Sequence, residues 1–311
     1  MNLFEHTPVM MAEVLTALRP RDGGRYADGT AGGAGHMAAL LRSSAPTGWV
    51  YGCDRDGDAI EAASVRLAEF AGRFELRRCN FDTLAEWVPA TSLDGVLLDL
   101  GASSPQFDWA HRGFSLNKSG PLDMRQDARQ PLTAAEILET WGEAELAKIF
   151  WVYGDEKFSR RYARAIVERR GMLRTTLDLA ALIEAVTPGG MRGATHPATR
   201  VFQALRMAVN DELGSLERGL LAAWGCVKPG GRLVVITFHS GEDRMVKHFG
   251  RERERDYALP EGLTVDVPEL RQPRAATLRW APRKPIQPSE QEMKSNPRSR
   301  SAQLRVMEKL S

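Results

Sequence analysis

The chain has little cysteine: three in 311 residues, Cys53, Cys79 and Cys226, an odd number widely spaced in the sequence. That excludes a disulfide framework and offers no zinc site, so they read as buried free thiols. Apolar runs are short, and none approaches the roughly 20 residues a membrane span needs. The start, M-N-L-F-E-H-T-P, lacks the basic-then-apolar order of a signal peptide, so a cytoplasmic location is expected. None of the six histidines, His6, His36, His111, His196, His239 and His248, has metal-ligand spacing with a cysteine or another histidine. No required metal is expected. There is no internal repeat. Net charge is small, at +2, because 42 Lys and Arg nearly balance 40 Asp and Glu, but its distribution is uneven. From Arg271 to Ser311 there are ten Lys or Arg against three Glu. Such a basic C-terminal segment suits a polyanionic partner, or is a solvated, partly disordered tail; charge alone does not separate the two. With 43% hydrophobic and 26% charged residues, the rest is an ordinary globular composition with room for two domains.

What the chain does have is glycine in one place. Tyr26 to His36 reads Y-A-D-G-T-A-G-G-A-G-H, four glycines within seven residues, and a helix-forming run follows at once. A strand, a glycine turn and a helix N-terminus make a nucleotide-binding unit: the turn wants positive φ, and a side chain would keep the backbone away from a ligand. The apolar run W-V-Y-G-C-D ends in Asp54, 19 residues beyond Gly35. An acid at the tip of the second strand takes the two hydroxyls of a ribose, so the pair points to an adenosine-containing ligand.

In chain order, residues 1–20 suggest a short amphipathic helix with Pro8 in its first turn. Strands follow at about 25–28, 49–54 and 74–81, with a helix at 58–70. Phe81 stands after the third strand, placed to lie against an adenine or simply to fill the core. The fourth strand, D-G-V-L-L-D-L-G, runs into A-S-S-P-Q-F-D and brings Asp99, Ser103, Ser104 and Gln106 to the edge of the glycine turn. From 107 to 195 glycine and proline punctuate helical segments. They include a capping box at Thr133 and Glu136 and a helix over 155–170 with Phe158, Tyr162, Ala165 and Ile166 on one stripe. That helix also carries Lys157, Arg160, Arg161, Arg164, Arg169 and Arg170, a nucleic-acid contact or a solvated face. The α/β pattern resumes at 196, with a fifth strand in K-P-G-G-R-L-V-V-I-T-F-H-S.

Taken together, H-T-P-V-M (6–10), D-G-T-A-G-G-A-G-H (28–36), D-R-D (54–56), L-L-D-L-G-A-S-S-P-Q (97–106), G-P-L-D-M-R (120–125), Y-G-D-E-K (153–157), H-P-A-T-R-V-F-Q-A-L-R (196–206) and N-P-R-S-R-S-A-Q-L-R (296–305) are idiosyncratic enough to name. From end to end the chain resembles the bacterial MraW (RsmH) family, S-adenosylmethionine-dependent methyltransferases of the N4 amine of a cytidine in the decoding region of 16S ribosomal RNA. The resemblance implies an α/β fold, a Rossmann-like class I methyltransferase sheet with an inserted all-helical substrate-recognition domain. The expected division is 1–106, 107–195 and 196–311, the last part ending in a basic tail. It also implies S-adenosylmethionine held by Ala34, Gly35, His36, Asp54, Phe81, Asp99 and Gln106, with Asp99 as the candidate catalytic acid. The expected partner is 16S ribosomal RNA within the small subunit, with no membrane; a homodimer stays open. Two residues depart from the family pattern. Ala34 stands where glycine is usual and is tolerable if its φ is negative; Gly241 replaces leucine and could loosen the start of its helix.

A cytosine amine is a poor nucleophile, so an acceptor aimed at its N–H would favour transfer. Amino-methyltransferases commonly carry an Asp-Pro-Pro-Tyr type tetrad at the fourth strand; here it is Asp99-Leu100-Gly101-Ala102. Asp99 is therefore expected at the junction of cofactor and amine, with Ser103, Ser104 or His239 orienting the base. A nicotinamide-dependent dehydrogenase fits less well, because the glycine spacing is G-x-x-G-G-x-G. A non-catalytic RNA-binding assembly factor and a DNA amino-methyltransferase remain as alternatives.

Overall fold

A computed structural model describes residues 8–101, 103–189, 196–260, 262–263 and 265–311. In chain order, helix α1 (Met11–Leu18) precedes β1 (Arg25–Asp28), α2 (Gly35–Ser43), β2 (Trp49–Asp54), α3 (Gly57–Leu67), β3 (Phe74–Arg78) and β4 (Leu93–Asp99). Six helices follow: α4 (Ser104–Asp108), α5 (Ala134–Thr140), α6 (Glu143–Val152), α7 (Ser159–Arg169), α8 (Thr176–Val186) and α9 (Thr199–Val209). Then come α10 (Glu212–Cys226), β5 (Val227–Thr237), α11 (Ser240–Glu254), β6 (Leu278–Trp280), α12 (Glu290–Ser295) and β7 (Gln303–Lys309). A two-residue ribbon pairs Tyr257–Ala258 with Gln272–Pro273. No helix among the described residues is long and apolar enough to cross a membrane.

The chain divides into two compact units. One, built from residues 4–101 and 215–311, holds a seven-stranded sheet of order β3-β2-β1-β4-β5-β7-β6. Strands β1 to β5 are parallel, and β7 enters antiparallel to β5 and β6. Because a strand alternates its side chains, Leu97 falls in the core under α1, α2 and α3 while Val96 and Leu98 fall in the core under α10 and α11. A strand buried on both faces needs the unbroken apolar run that made β4 legible.

The other unit, residues 102–214, is helical. Its core includes Ile137, Phe150, Tyr162, Ile166, Leu179 and Ile183. It extends past the residue 195 expected from the sequence, because Val201, Phe202, Ala204, Leu205 and Val209 of α9 are built into that core. Thr133 caps α5 by accepting from the Glu136 N–H at 3.1 Å. A fully reciprocal box lies ahead of α8, where Asp178 N–H donates to Thr175 Oγ1 and Thr175 N–H to Asp178 Oδ2. Phe158 departs from its expected stripe. It precedes α7 and is exposed, whereas Tyr162, Ala165 and Ile166 are buried.

The C-terminal segment is folded into the sheet unit, where it supplies β6 and β7, rather than being a free tail. Arg305 on β7 is buried and donates to Asp243 of α11 at 2.5 Å. Lys309 donates to the carbonyls of Trp224 and Val227, at the C-terminal end of α10 where the helix dipole favours a cation. Glu308 meets Arg232 of β5, which also donates to the Ala17 carbonyl of α1. Apolar Leu304, Val306 and Met307 fill the gaps between these charges. Removing one member of a buried pair leaves the other unmatched, at about 3 kcal/mol. Arg305→Ala is expected to lower the stability of the sheet unit by that order, read as a fall in the urea midpoint; Asp243→Asn in the same background should recover part of it.

Candidate active site

The order β3-β2-β1-β4-β5 reverses direction between β1 and β4, the point where open parallel sheets leave a crevice beyond their carboxyl ends. The glycine turn occupies that point. Gly29 N–H donates to the Leu97 carbonyl of β4 and Ala31 N–H to the Cys53 carbonyl of β2, so the turn is tied to strands on both sides. Gly32 has φ +50°, a conformation that favours glycine. Gly35 is needed for a different reason from the one expected. A Cβ there would lie 2.2 Å from Cγ of Pro8, which sits against the start of α2 rather than in the first turn of α1.

Ala34 caps α2 with φ +58° and no exposure, so the condition set for its tolerance, a negative φ, is not met. Left-handed alanine costs about 1–2 kcal/mol. A glycine would relieve this but forgo about 0.8 kcal/mol of methyl burial and lose more backbone freedom on folding. The opposing terms are of similar size, which accounts for alanine here.

Asp28, Thr30, His36, Asp54 and Asp99 form the polar edge. Asp54 Oδ2 accepts from Gly32 N–H and Oδ1 from Asp56 N–H, both at 2.9 Å, which fixes the carboxylate and leaves each oxygen a further lone pair. Thr30 Oγ1 accepts from the Asp99 N–H at 2.7 Å and donates to Asp28 Oδ1 at 3.3 Å. One hydroxyl thus locks the ends of β1 and β4 together. His36 Nε2 stands 3.7 Å from Asp99 Oδ2, an ion-pair distance too long for a hydrogen bond. Among the described residues, Asp28 Oδ2, Asp99 Oδ1 and both ring nitrogens of His36 are buried without a hydrogen-bond partner. Buried polar atoms are seldom left so, and four at one strand edge mark a ligand site.

The charges act on one another. Burial raises the Asp28 carboxyl to about 6, against the pull of nearby His36. Burial opposes charge on His36, but Asp99 and Asp28 outweigh it and lift the imidazole above its ordinary value. Burial also raises Asp54, against the amide donors of Asp56 and Gly32. Nearby, a hydrogen bond between Cys53 and Cys79 pushes the Cys53 thiol well up and draws Cys79 down to about 6. These two thiols are thus neighbours in space, though distant in sequence, and both remain free.

Not every expected site residue stands at this edge. Phe81 is 7% exposed, in the core beneath α10, and a Cβ on Gly219 would lie 2.2 Å from its ring. A Cβ on Gly29 would lie 2.8 Å from the Phe81 Cβ, so the residue packs against both the glycine turn and α10. Gln106 belongs to the helical unit, where it is buried and accepts from the Ser103 N–H at 3.1 Å. Ser103 Oγ is buried without a partner among the described residues, and the side chain of Ser104 lies outside them, as do His6 and Thr7. His239 caps α11, its Nδ1 accepting from Gly241 and Glu242 N–H. Gly241 is thereby part of the cap and does not loosen the helix. The residues missed from the sequence are Asp28 and Thr30; the signal was present in D-G-T, the polar pair flanking the first glycine.

A family model described as the MraW methylase family matches residues 3–310. Curated relatives named ribosomal RNA small subunit methyltransferase H include those of Magnetococcus marinus, 48% identical over 99% of both chains, and Heliobacterium mobile, 46% identical over 99% of both. That of Hyphomonas neptunium is 50% identical over 97% of this chain and 87% of its own.

Asp28 gives the pH dependence of this edge. An unfolded chain releases its proton near 3.8 and the folded one near 6, so the folded state binds more protons in between. The contribution of Asp28 to stability is therefore full below about pH 4 and falls as pH rises to about 6, by at most about 3 kcal/mol. Asp28→Asn keeps the acceptor for Thr30 and removes the titration. Its stability relative to the parent should rise between pH 4.5 and 7 in urea unfolding; a pH-independent difference would show that Asp28 titrates normally.

Proposed function

The chain belongs to the MraW methylase family, and from that membership we propose that it methylates small-subunit ribosomal RNA, at the N4 amine of a cytidine in 16S RNA, using S-adenosylmethionine. The single observation that supports the reading most is the set of unpartnered buried polar atoms on Asp28, His36 and Asp99 beside the glycine turn. The residues present fit the cofactor. Asp54 has lone pairs for two ribose hydroxyls, the turn around Ala34 and Gly35 brings backbone close, and His36 and Asp99 line the neighbouring strand end. Phe81 is proposed to support the floor through its contact with α10.

Bound there, S-adenosylmethionine supplies a methyl group already activated by a sulfonium charge. What the chain must do is hold the nucleophile in line and dispose of charge. The Asp99 carboxylate accepts from the N–H of the cytosine amine, which draws its lone pair out of conjugation and stabilises positive charge on nitrogen. Thr30 fixes the backbone of Asp99, and His36 restrains its carboxylate from the side. A cytidine in folded RNA leaves its stack to reach such a site, so the enzyme must also grip the flanking strand. Excess chelator is expected to leave activity intact.

The test is nucleoside mass spectrometry of small-subunit RNA from cells with and without the gene, followed by add-back of purified protein and labelled S-adenosylmethionine. N4-methylated cytidine should vanish and return with the parent protein. Asp99→Asn should lower turnover by about 10²–10⁴-fold, beyond any loss of cofactor affinity, which is measured separately by S-adenosylmethionine binding. Near-normal turnover would remove Asp99 from the reaction, and persistence of the modification in cells lacking the gene would move the substrate elsewhere.

A further inference from the structure

The helical unit contains a groove of about 970 Å³ between α6 and α7, and the methyl-transfer edge makes no use of it. Its walls carry two aromatic side chains, Trp151 and Phe158, and four cations, Lys148, Lys157, Arg160 and Arg161. We infer that this groove binds a single-stranded segment of the RNA substrate, its bases stacked on Trp151 and Phe158 and its phosphates on the four cations. The inference rests on the ribosomal RNA reading above and names where that RNA is held.

Folding does not account for Trp151. The apolar stripe of α6 is Leu146, Ile149 and Phe150, all buried, whereas Trp151 is 58% exposed. Phe158 is 40% exposed and meets the helix only edge-on, its ring 6.1 Å from that of Tyr162. The cations are available as well. Lys148, Lys157, Arg160 and Arg161 make no ion pair among the described residues. By contrast Arg164 reaches Glu143 at 3.5 Å, so the one acid on the wall is matched, and Arg170 donates to the carbonyls of Glu139 and Trp141. The small side chains of Ala144 and Ala147 keep the floor low.

The groove is also held in shape. Between α6 and α7 runs Y-G-D-E-K, in which Asp155 takes φ +50° and its carbonyl accepts from Arg200. A Cβ on Gly154 would lie 2.6 Å from the Arg200 carbonyl oxygen, so the loop lies hard against α9. Glu156 N–H donates to the Phe150 carbonyl and the Glu156 carboxylate accepts from Phe158 N–H at 2.8 Å. These bonds set Lys157 and Phe158 at the rim without rearrangement, which lowers the ordering cost of binding.

Rigid aromatic faces alternating with free cations suit unpaired nucleotides. In a duplex the bases are already stacked on one another and cannot lie on Trp151. Four net positive charges likewise disfavour a basic ribosomal protein. A strand following the groove would leave its target base free to be extruded.

The test uses the full chain and a fluorescein-labelled RNA of about ten nucleotides, a length set by the usual site size, with and without its complement. Anisotropy should show the single strand bound more tightly than the duplex. Trp151→Ala should weaken it about ten-fold, and Trp151→Phe should restore most of the loss. Replacing Lys157, Arg160 and Arg161 with Gln should reduce the salt slope by about 0.7 for each phosphate no longer neutralised. Cofactor affinity and the melting midpoint should not move, since these side chains are exposed. Unchanged single-strand affinity in Trp151→Ala, or equal binding of duplex, overturns the inference. So does an effect seen only with protein-containing particles, which would make the occupant a protein. If methylation of small-subunit RNA persists while Trp151→Ala binds and turns over normally, the groove alone fails. If no RNA is methylated but Trp151→Ala still loses the strand, the groove stands and the reaction is wrong.

Discussion

Parallel strands can be joined only by crossovers, and that requirement governs the sheet unit. Because β1, β2 and β4 run the same way, their carboxyl ends lie on one edge, and Asp28, Asp54 and Asp99, each the last residue of its strand, arrive there together. No local preference of the chain brings three carboxylates into one low-dielectric edge. The fold does so, and offsets the cost with backbone amides on Asp54, the Thr30 hydroxyl between Asp28 and Asp99, and the imidazole of His36. The glycine turn is where all of these meet, so its conformation sets the geometry of the whole edge.

The offsets are incomplete, and that is informative. Asp54 is matched on both oxygens, whereas Asp28 and Asp99 each keep one buried oxygen without a donor. A structural network would close on itself, since an orphaned polar atom costs about 1–3 kcal/mol. Raised values on Asp28 and His36 say the same in electrostatic terms: the site favours fewer negative charges than its residues carry. A cationic ligand relieves that imbalance, and a sulfonium is one.

Strands β2, β4 and β5 were legible as apolar runs ending in a polar residue, and β1 through the glycine-rich turn that follows it. Of the residues that meet at the candidate site, Asp54 and Asp99 were legible as acids at strand ends. Asp28 stands in the motif with no role evident from sequence, because its environment comes from His36 and Asp99, which only the fold supplies. The sign of φ at Ala34 is likewise invisible in sequence, since the residue type argues against the conformation it takes. Strand β7 was hidden by its own charges. Q-L-R-V-M-E-K alternates, but Arg305 and Lys309 look like solvent-facing residues until Asp243 and the carbonyls of Trp224 and Val227 are placed against them.

This reassignment changes where RNA affinity can come from. Of the ten cations after residue 270, Arg305 and Lys309 are buried in the sheet, and Arg279 pairs with Glu308. Arg271 pairs with Asp266, and Arg283 lies 3.6 Å from Glu254. Arg274 donates to the Glu252 carbonyl. A cation already matched by a carboxylate releases few counterions on meeting a phosphate, so the C-terminal excess contributes less to binding than its count suggests. The groove of the helical unit reverses that proportion: Lys148, Lys157, Arg160 and Arg161 lie together on it with aromatic faces between them. Charge that is free and clustered, rather than charge that is merely abundant, is what a polyanion can use.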